Sequence, residues 1–224
     1  MNIAILLLAG SSVRMKNSPI PKQLCLVNNK PLFIYSALTL QNTSDIDEII
    51  LVTSEKCLKK VKEAVSKYQL TKVKDVILGG QSRQESVALA LDYLKEKNIK
   101  DNDIVLIHDA ARPLVNEKII KDNILLCQRY DAVTTAINVE DTVIDNDGNY
   151  LDRSKILRLQ TPQTFKFVLI YEAHQLAKEN QLTVNDDSQL MDLVGHEVCY
   201  ALGDKSNFKV TTDADLELLK KIIG

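Results

Sequence analysis

Several things are scarce in this sequence, and each scarcity narrows what the chain can be. It has four cysteines in 224 residues, and no two of them form a C-x-x-C pair. That spacing excludes a disulfide framework and a zinc ribbon, so Cys25, Cys57, Cys127 and Cys199 read as reduced packing residues. There is no basic excess either: 28 Lys and Arg stand against 30 Asp and Glu, for a formal net charge of -2. A general binder of nucleic acid or membrane surfaces carries a broad positive charge, which this chain lacks. Its first apolar run, Ile3 to Ala9, is far shorter than the about 20 residues that span a bilayer. No basic segment precedes that run, as a signal peptide requires, so the chain reads as cytoplasmic.

Repeats, low-complexity stretches and linkers are absent too, and the 224 residues read as one domain. Two familiar phosphate signatures are missing. The G-x-x-x-x-G-K-[ST] loop does not occur. The three spaced glycines of a dinucleotide turn are also lacking, since Gly10 stands alone after the first apolar run. The last scarcity is local: no aspartate or glutamate precedes Asp45. LLLAGSSVRMKNSPIPKQ, residues 6–23, therefore carries Arg14, Lys16 and Lys22 unopposed.

What is present alternates. Apolar runs of strand length at 2–9, 47–53, 73–78, 103–109, 132–139 and 196–202 are separated by helical patterns. The helices are predicted at 31–41, 55–68, 82–97, 117–130, 165–180, 186–195 and about 213–223. In the third of them Val87, Leu91 and Leu94 form one stripe. Strands apolar on both faces, interleaved with helices, predict an α/β fold with a mostly parallel sheet covered by helices. The stretch 140–157 breaks the rhythm. Asn146-Asp147-Gly148-Asn149 sits between two alternating segments, which predicts a β-hairpin. It is too polar for a core element, and reads as an arm that projects toward a partner subunit.

Ligands of open parallel sheets bind at the carboxyl ends of strands. After the first run, Gly10, Ser11 and Ser12 can bring backbone N–H groups and hydroxyls close to phosphate oxygens. Arg14 and Lys22 add charge, and Pro19 and Pro21 stiffen the approach to Lys22. In GGQSRQESV, Gly79-Gly80 permits a tight turn, Ser82 and Glu85 have capping-box spacing, and Ser86 is placed to reach a nucleotide. In HDAARP, Asp109 closes an apolar strand, where an unpaired carboxylate is expensive. A divalent cation on a nucleotide's phosphates would satisfy it. His108 reads as a packed, hydrogen-bonded histidine and Arg112 as a brace for the loop; His174 and His196 receive no role.

Taken in order, LAGSSVRM, PKQ, GGQSRQESV, HDAARP, DT, DRSKILRLQTPQTF, DDS and FKVTTDADL resemble the 2-C-methyl-D-erythritol 4-phosphate cytidylyltransferase family. Its close relatives act on ribitol 5-phosphate. The resemblance implies a Rossmann-like nucleotidyltransferase fold, a homodimer, a divalent cation (usually Mg2+) and CTP as a substrate; the arm at 140–157 is the segment that would form the dimer. It implies transfer of CMP to 2-C-methyl-D-erythritol 4-phosphate, giving 4-diphosphocytidyl-2-C-methyl-D-erythritol and diphosphate for non-mevalonate isoprenoid synthesis. The alternatives are a cytidylyltransferase for ribitol 5-phosphate or another polyol phosphate, and a non-catalytic nucleotide sensor.

By motif position, the resemblance gives Arg14 and Lys22 the transition state, and Arg153 and Lys209 the acceptor phosphate. It gives Thr142 and Thr161 further acceptor contacts. Ala9, Gly10, Ser11, Ser12, Gly80, Ser86 and Ala110 fall on nucleotide contacts, and Asp109 on the metal. A dimer-forming arm would carry Arg153 into the neighbouring subunit's site. The chain departs from the family pattern in four places. Leu8-Ala9-Gly10 replaces A-A-G, a form shared with the ribitol-type relatives, and Ser12 replaces a further glycine; Gln81 stands where an acid is common, and Leu157 where a tryptophan is frequent.

Overall fold

The computed structural model describes residues 1–10 and 21–224. The chain begins with strand β1 (Asn2–Leu7), a small hairpin of β2 (Leu26–Val27) and β3 (Lys30–Pro31), and helix α1 (Leu32–Asn42). Then come β4 (Glu48–Thr53), α2 (Glu55–Lys67), β5 (Val73–Leu78), α3 (Arg83–Glu96), β6 (Ile104–Asp109), α4 (Glu117–Cys127) and β7 (Ala132–Asn138). A second hairpin, β8 (Val143–Ile144) with β9 (Tyr150–Leu151), precedes β10 (Leu157–Lys166). The chain closes with α5 (Phe167–Glu179), α6 (Asp187–Leu193), β11 (Val198–Leu202) and α7 (Asp213–Ile223).

Seven of these strands form one sheet in the order β11-β7-β10-β6-β1-β4-β5. Every neighbouring pair is parallel except the two made by β10. Strand β1 shows why continuous apolar runs were needed. Ala4 and Leu6 enter one core cluster with α1, α2 and α4, whereas Ile3 and Ile5 enter another with α3, α5 and α6. A strand buried on both sides cannot alternate with polar residues. A third, smaller cluster joins Cys25, Val27 and Leu32 to Val210, Leu216 and Leu219. It fastens α7 to the segment just after residue 21, and so brings two distant parts of the chain together.

Strand β10 is the main departure from the sequence pattern, which predicts no strand at 157–166 and opens a helix at 165. Pro162 has no N–H to donate, and proline inside an apolar run argues against a central strand. The ladder accommodates it: pairing of β10 with β7 shifts register between Leu159 and Gln163. The following helix accordingly begins at Phe167. The hairpin in 140–157 forms as its turn residues predict. Asp145 accepts the backbone N–H groups of Asp147 and Asn149, each at 2.9 Å, and Gly148 takes the positive φ of +87° that the turn needs. β8 and β9 pair only with each other, apart from the main sheet.

Candidate active site

From β1 the chain moves outward through β4 to β5, then returns to the other side of β1 as β6. The reversal opens a crevice beyond the carboxyl ends of β1 and β6, where ligands of such sheets bind. A cavity of about 320 Å³ lies there. Residues 7–10 come from the end of β1 and just after it, residues 80–83 and Ser86 from the β5–α3 turn and the first turns of α3, and residues 109–111 from the end of β6. Lys22 and Gln23, with Lys209 and Thr211 from the other end of the chain, complete the wall.

Each wall has a local cause. Gly79 lets the β5–α3 turn run against β1: a Cβ there would lie 2.7 Å from both Ala9 Cβ and Ser86 Oγ. Ser82 caps α3 by accepting the Glu85 N–H at 3.0 Å, and the Glu85 carboxylate reaches back to the Gln81 N–H at 2.6 Å. The Ser86 hydroxyl is used inside this turn, donating to Ser82 O and accepting from Gly80 N–H. On the other side, Gln23 donates to Leu8 O at 2.5 Å and Lys22 Nζ to Val210 O at 3.0 Å. Val210 donates its own N–H to Ala111 O at 2.8 Å and is fully buried. Burying that side chain contributes about 2 kcal/mol to holding residues from opposite ends of the chain on one rim.

Asp109 is the electrostatic centre. Only 7% exposed, it takes Lys209 Nζ on Oδ2 at 2.6 Å and Arg83 Nε on Oδ1 at 3.2 Å. Burial alone would raise its carboxyl, but Arg83, then Lys209, with Arg112 behind them, outweigh it and hold the group well below the usual carboxylate range. Arg83 also gives Nη1 to Asp187 Oδ2 at 2.7 Å, and His174 Nε2 meets Asp187 Oδ1 at 3.1 Å. Burial works against the Asp187 charge as well, and Arg83 with His174 overcomes it, leaving that carboxyl lowered.

Behind Asp109 lies a neutral chain of hydrogen bonds. The Asp109 N–H donates to Thr161 Oγ1 at 3.1 Å, and Thr161 Oγ1 lies 3.0 Å from His108 Nδ1. His108 Nε2 lies 3.0 Å from the Arg112 carbonyl, which can only accept. His108 therefore carries its proton on Nε2, and the Thr161 hydroxyl donates to Nδ1. Complete burial pushes its pKa down to about 4, against the smaller opposing pull of the Arg112 carbonyl. Arg112 braces the C-terminal segment by donating to Asn207 O at 2.9 Å. Both residues thus hold the loop, as their sequence context suggests.

The candidate residues divide into three groups. Ala9, Gly10, Lys22, Gly80, Ser86, Asp109, Ala110 and Lys209 line one cavity. Ser11, Ser12 and Arg14 lie outside the described residues. Thr142, Arg153 and Thr161 are not brought to the cavity. Thr142 is exposed beside the hairpin, and the exposed Arg153 donates to Glu140 O at 2.5 Å. Thr161 is 5% exposed with its hydroxyl committed to Asp109 and His108. That hydroxyl ties the end of β6 to His108. Lys22, which an exposed loop would leave in solvent, is half-buried against Val210.

Arg83, Asp187 and His174 are functional candidates that sequence reasoning missed. Arg83 did leave a signal. It is the first residue of α3, where a cation opposes the helix dipole and needs an anionic partner to offset it.

The cavity wall has spare positive capacity. Arg83, one of its lining residues, has in Nη2 a buried donor without an acceptor among the described residues. That surplus fits an anionic ligand. A divalent cation fits in one way only. Among the described residues no cluster of three His, Cys, Asp or Glu exists, so they supply no cage. The single carboxylate Asp109 suits a magnesium-like ion that arrives already bound to phosphates.

Comparison with known proteins now decides the family. The family model described as 2-C-methyl-D-erythritol 4-phosphate cytidylyltransferase (IspD) matches residues 2–224. The chain belongs to this family. The cytidylyltransferase of that name from Clostridium beijerinckii is 39% identical, covering 98% of this chain and 97% of the relative. The one from Clostridium novyi is 37% identical over 99% of this chain and 96% of its own length. Among solved structures, 4-diphosphocytidyl-2C-methyl-D-erythritol synthase from Anaerococcus prevotii superposes with a TM-score of 0.85 at 29% identity, covering 99% of this chain and 95% of that one. The sheet described above is thus the Rossmann-like nucleotidyltransferase fold of the cytidylyltransferase family.

Proposed function

We propose that this chain transfers CMP from CTP to 2-C-methyl-D-erythritol 4-phosphate, releasing diphosphate and 4-diphosphocytidyl-2-C-methyl-D-erythritol. The observation that carries this reading is the meeting of Lys22 and Lys209, from opposite ends of a chain matched by the family over residues 2–224, on one cavity around Asp109. An oxygen of the acceptor phosphate attacks the α-phosphorus of CTP. A P–O bond forms there while the bond to the β-phosphate oxygen breaks, and the electron pair leaves with diphosphate. Negative charge grows on the equatorial and leaving oxygens, so positioning and neutralisation dominate the chemistry.

Lys22 and Arg14 supply that neutralisation, each contributing about 3–4 kcal/mol by analogy with a lost oxyanion donor. Lys209 and Arg153 hold the acceptor phosphate against a target that is already anionic. Gly10, just after β1, and the turn around Gly80 let backbone approach the nucleotide, with Ser86 and Ala110 beside it. Asp109 would hold Mg2+ carried on the triphosphate, and the ion supplies further neutralisation of the phosphate oxygens when bound.

Residues 140–157 act as a dimerisation arm that delivers Arg153 to the neighbouring subunit. What supports this is the arm's outward apolar surface: Tyr150 is 81% exposed, with Ile144 and Leu151 also exposed. Patches of that kind mark association surfaces. The reaction runs in the cytoplasm, a placement supported by four free cysteines. Among the described residues no helix is long and apolar enough to cross a membrane.

The test is diphosphate release from CTP and magnesium with either methylerythritol phosphate or ribitol 5-phosphate. Turnover with the first acceptor is expected. Turnover with ribitol 5-phosphate alone would reassign the enzyme, and CTP binding without diphosphate from either would make it a sensor.

A further inference from the structure

Arg83 touches Asp109 with one nitrogen. Its Nε reaches Asp109 Oδ1 at 3.2 Å, and its Nη1 turns to Asp187 Oδ2 at the shorter distance of 2.7 Å. A guanidinium facing a lone carboxylate usually grips both oxygens with parallel N–H bonds. Here a second carboxylate divides it. Asp187 is 1% exposed and is fixed from three sides. His174 Nε2 meets its Oδ1 at 3.1 Å, Arg83 takes its Oδ2, and its own N–H donates to Gln163 Oε1 at 3.1 Å. Neither α5, which carries His174, nor α6, which begins with Asp187, lends a residue to the cavity wall. The proposed reaction has no use for them. A carboxylate so deeply buried is expensive to keep, and packing alone does not require one there.

We propose that Asp187 is a positioning residue: by holding one arm of Arg83 it stops Arg83 closing on both oxygens of Asp109, and so keeps Asp109 Oδ2 available to the cavity. This inference rests on the cavity being the cytidylyl-transfer site. Oδ2 is the oxygen that Lys209, a cavity-lining residue, reaches at 2.6 Å. Arg83 already has an unpartnered Nη2. With the charge on Asp187 gone, Asp109 becomes the only carboxylate left to Arg83, and a second N–H bond to it competes with whatever Oδ2 serves. His174 fixes Oδ1 of Asp187, so that Oδ2 stays aimed at Arg83.

The decisive variant is Asp187→Asn, which keeps the shape and an acceptor oxygen but removes the charge. Its crystal structure is expected to show Arg83 bonded to both oxygens of Asp109. The magnesium concentration for half-maximal diphosphate release is expected to rise roughly 10- to 100-fold, the usual cost of losing a partner behind a ligating group. Rates are referred to active sites counted by calorimetric titration with CTP, so a merely less stable variant does not mimic the effect. Asn123→Ala serves as the control: it breaks buried hydrogen bonds to Ile119 O and Thr135 Oγ1, none of these residues lining the cavity, and should leave the magnesium dependence unmoved. If Asp187→Asn does not fold, Arg83→Lys reads the same bridge, because a point charge cannot span two carboxylates as a guanidinium does. An Asp187→Asn crystal with the single Arg83–Asp109 bond intact, or an unchanged magnesium requirement per active site in whichever variant folds, overturns the inference. Failure of the wild type to release diphosphate with either acceptor would instead remove the functional reading, and the Asp187→Asn crystal would still decide the position of Arg83.

Discussion

Two aspartates in this molecule, Asp109 and Asp145, are both held below the ordinary carboxylate range, and by opposite means. Asp145 sits in the exposed hairpin. The Asn149 side chain, then the backbone N–H groups of Asn149, Asp147 and Gly148, stabilise its charge. All of these lie within four residues of it. Asp109 is buried at the end of β6, and its partners Arg83 and Lys209 lie 26 and 100 residues away along the chain. One carboxylate is served by its own turn, and the other by the whole fold. The difference shows why one turn could be read directly from D-N-D-G-N, while the surroundings of Asp109 could not be read from H-D-A-A-R-P.

The contrast can be broken or sharpened by substitution. The largest effect is expected at the wall of the Asp109 cavity. Lys22→Ala should lower turnover about a thousandfold, equivalent to about 4 kcal/mol of transition-state stabilisation. Circular dichroism should show an intact fold; a folded Lys22→Ala enzyme with wild-type kcat would empty the cavity of its assigned chemistry.

The next effect is on stability. The His108 pKa falls from 6.5 to about 4 because the ring is fully buried, so the folded state binds fewer protons than the unfolded one. Its contribution is complete above pH 6.5 and is lost as pH drops toward 4, by about 3 kcal/mol. The lowered carboxyls of Asp109 and Asp187 act in the same direction, but below the ordinary carboxylate pKa of about 3.9. The window between belongs to the histidine. Urea unfolding at pH 7 and pH 4.5 should show that loss in the wild type and a flatter response in His108→Gln.

Thr161→Val comes third. It leaves the Asp109 N–H and His108 Nδ1 without their shared hydroxyl, which should cost about 1–3 kcal/mol in the same denaturation experiment. Asp145→Ala is expected to be the smallest, with an unfolding midpoint close to wild type, since its partners are exposed and can turn to water. A loss at Asp145 as large as that at Thr161 would erase the distinction between the two aspartates.

Much of the fold was legible because strands and helices here have strong local signatures. Strand β6 is buried along its whole length and is continuously apolar up to His108. Ser82 and Glu85 announced the start of α3 at their true positions. Strand β10 was hidden by Pro162, whose local preference argues against a strand that its two neighbours nevertheless enforce. The cavity was half legible. Gly10, Gly80 and Asp109 stood at strand ends, where parallel sheets bind ligands. His174 carried no usable signal and Asp187 only its place in D-D-S, because what gives them meaning is the contact of Asp187 with Arg83, 104 residues away, and of His174 with Asp187.

By itself, then, the order of residues determined most of the strands and helices, where the charged turns would fall, and how the hairpin would close, because each depends on neighbours a few positions apart. Only the tertiary structure decided which cations would face Asp109, that Thr161 would lie beneath it, and that Lys22 and Lys209 would share one rim. Those choices depend on distances through space between residues far apart in sequence. They are settled by the packing of β10 between its neighbours and of Val210 against the segment after residue 21.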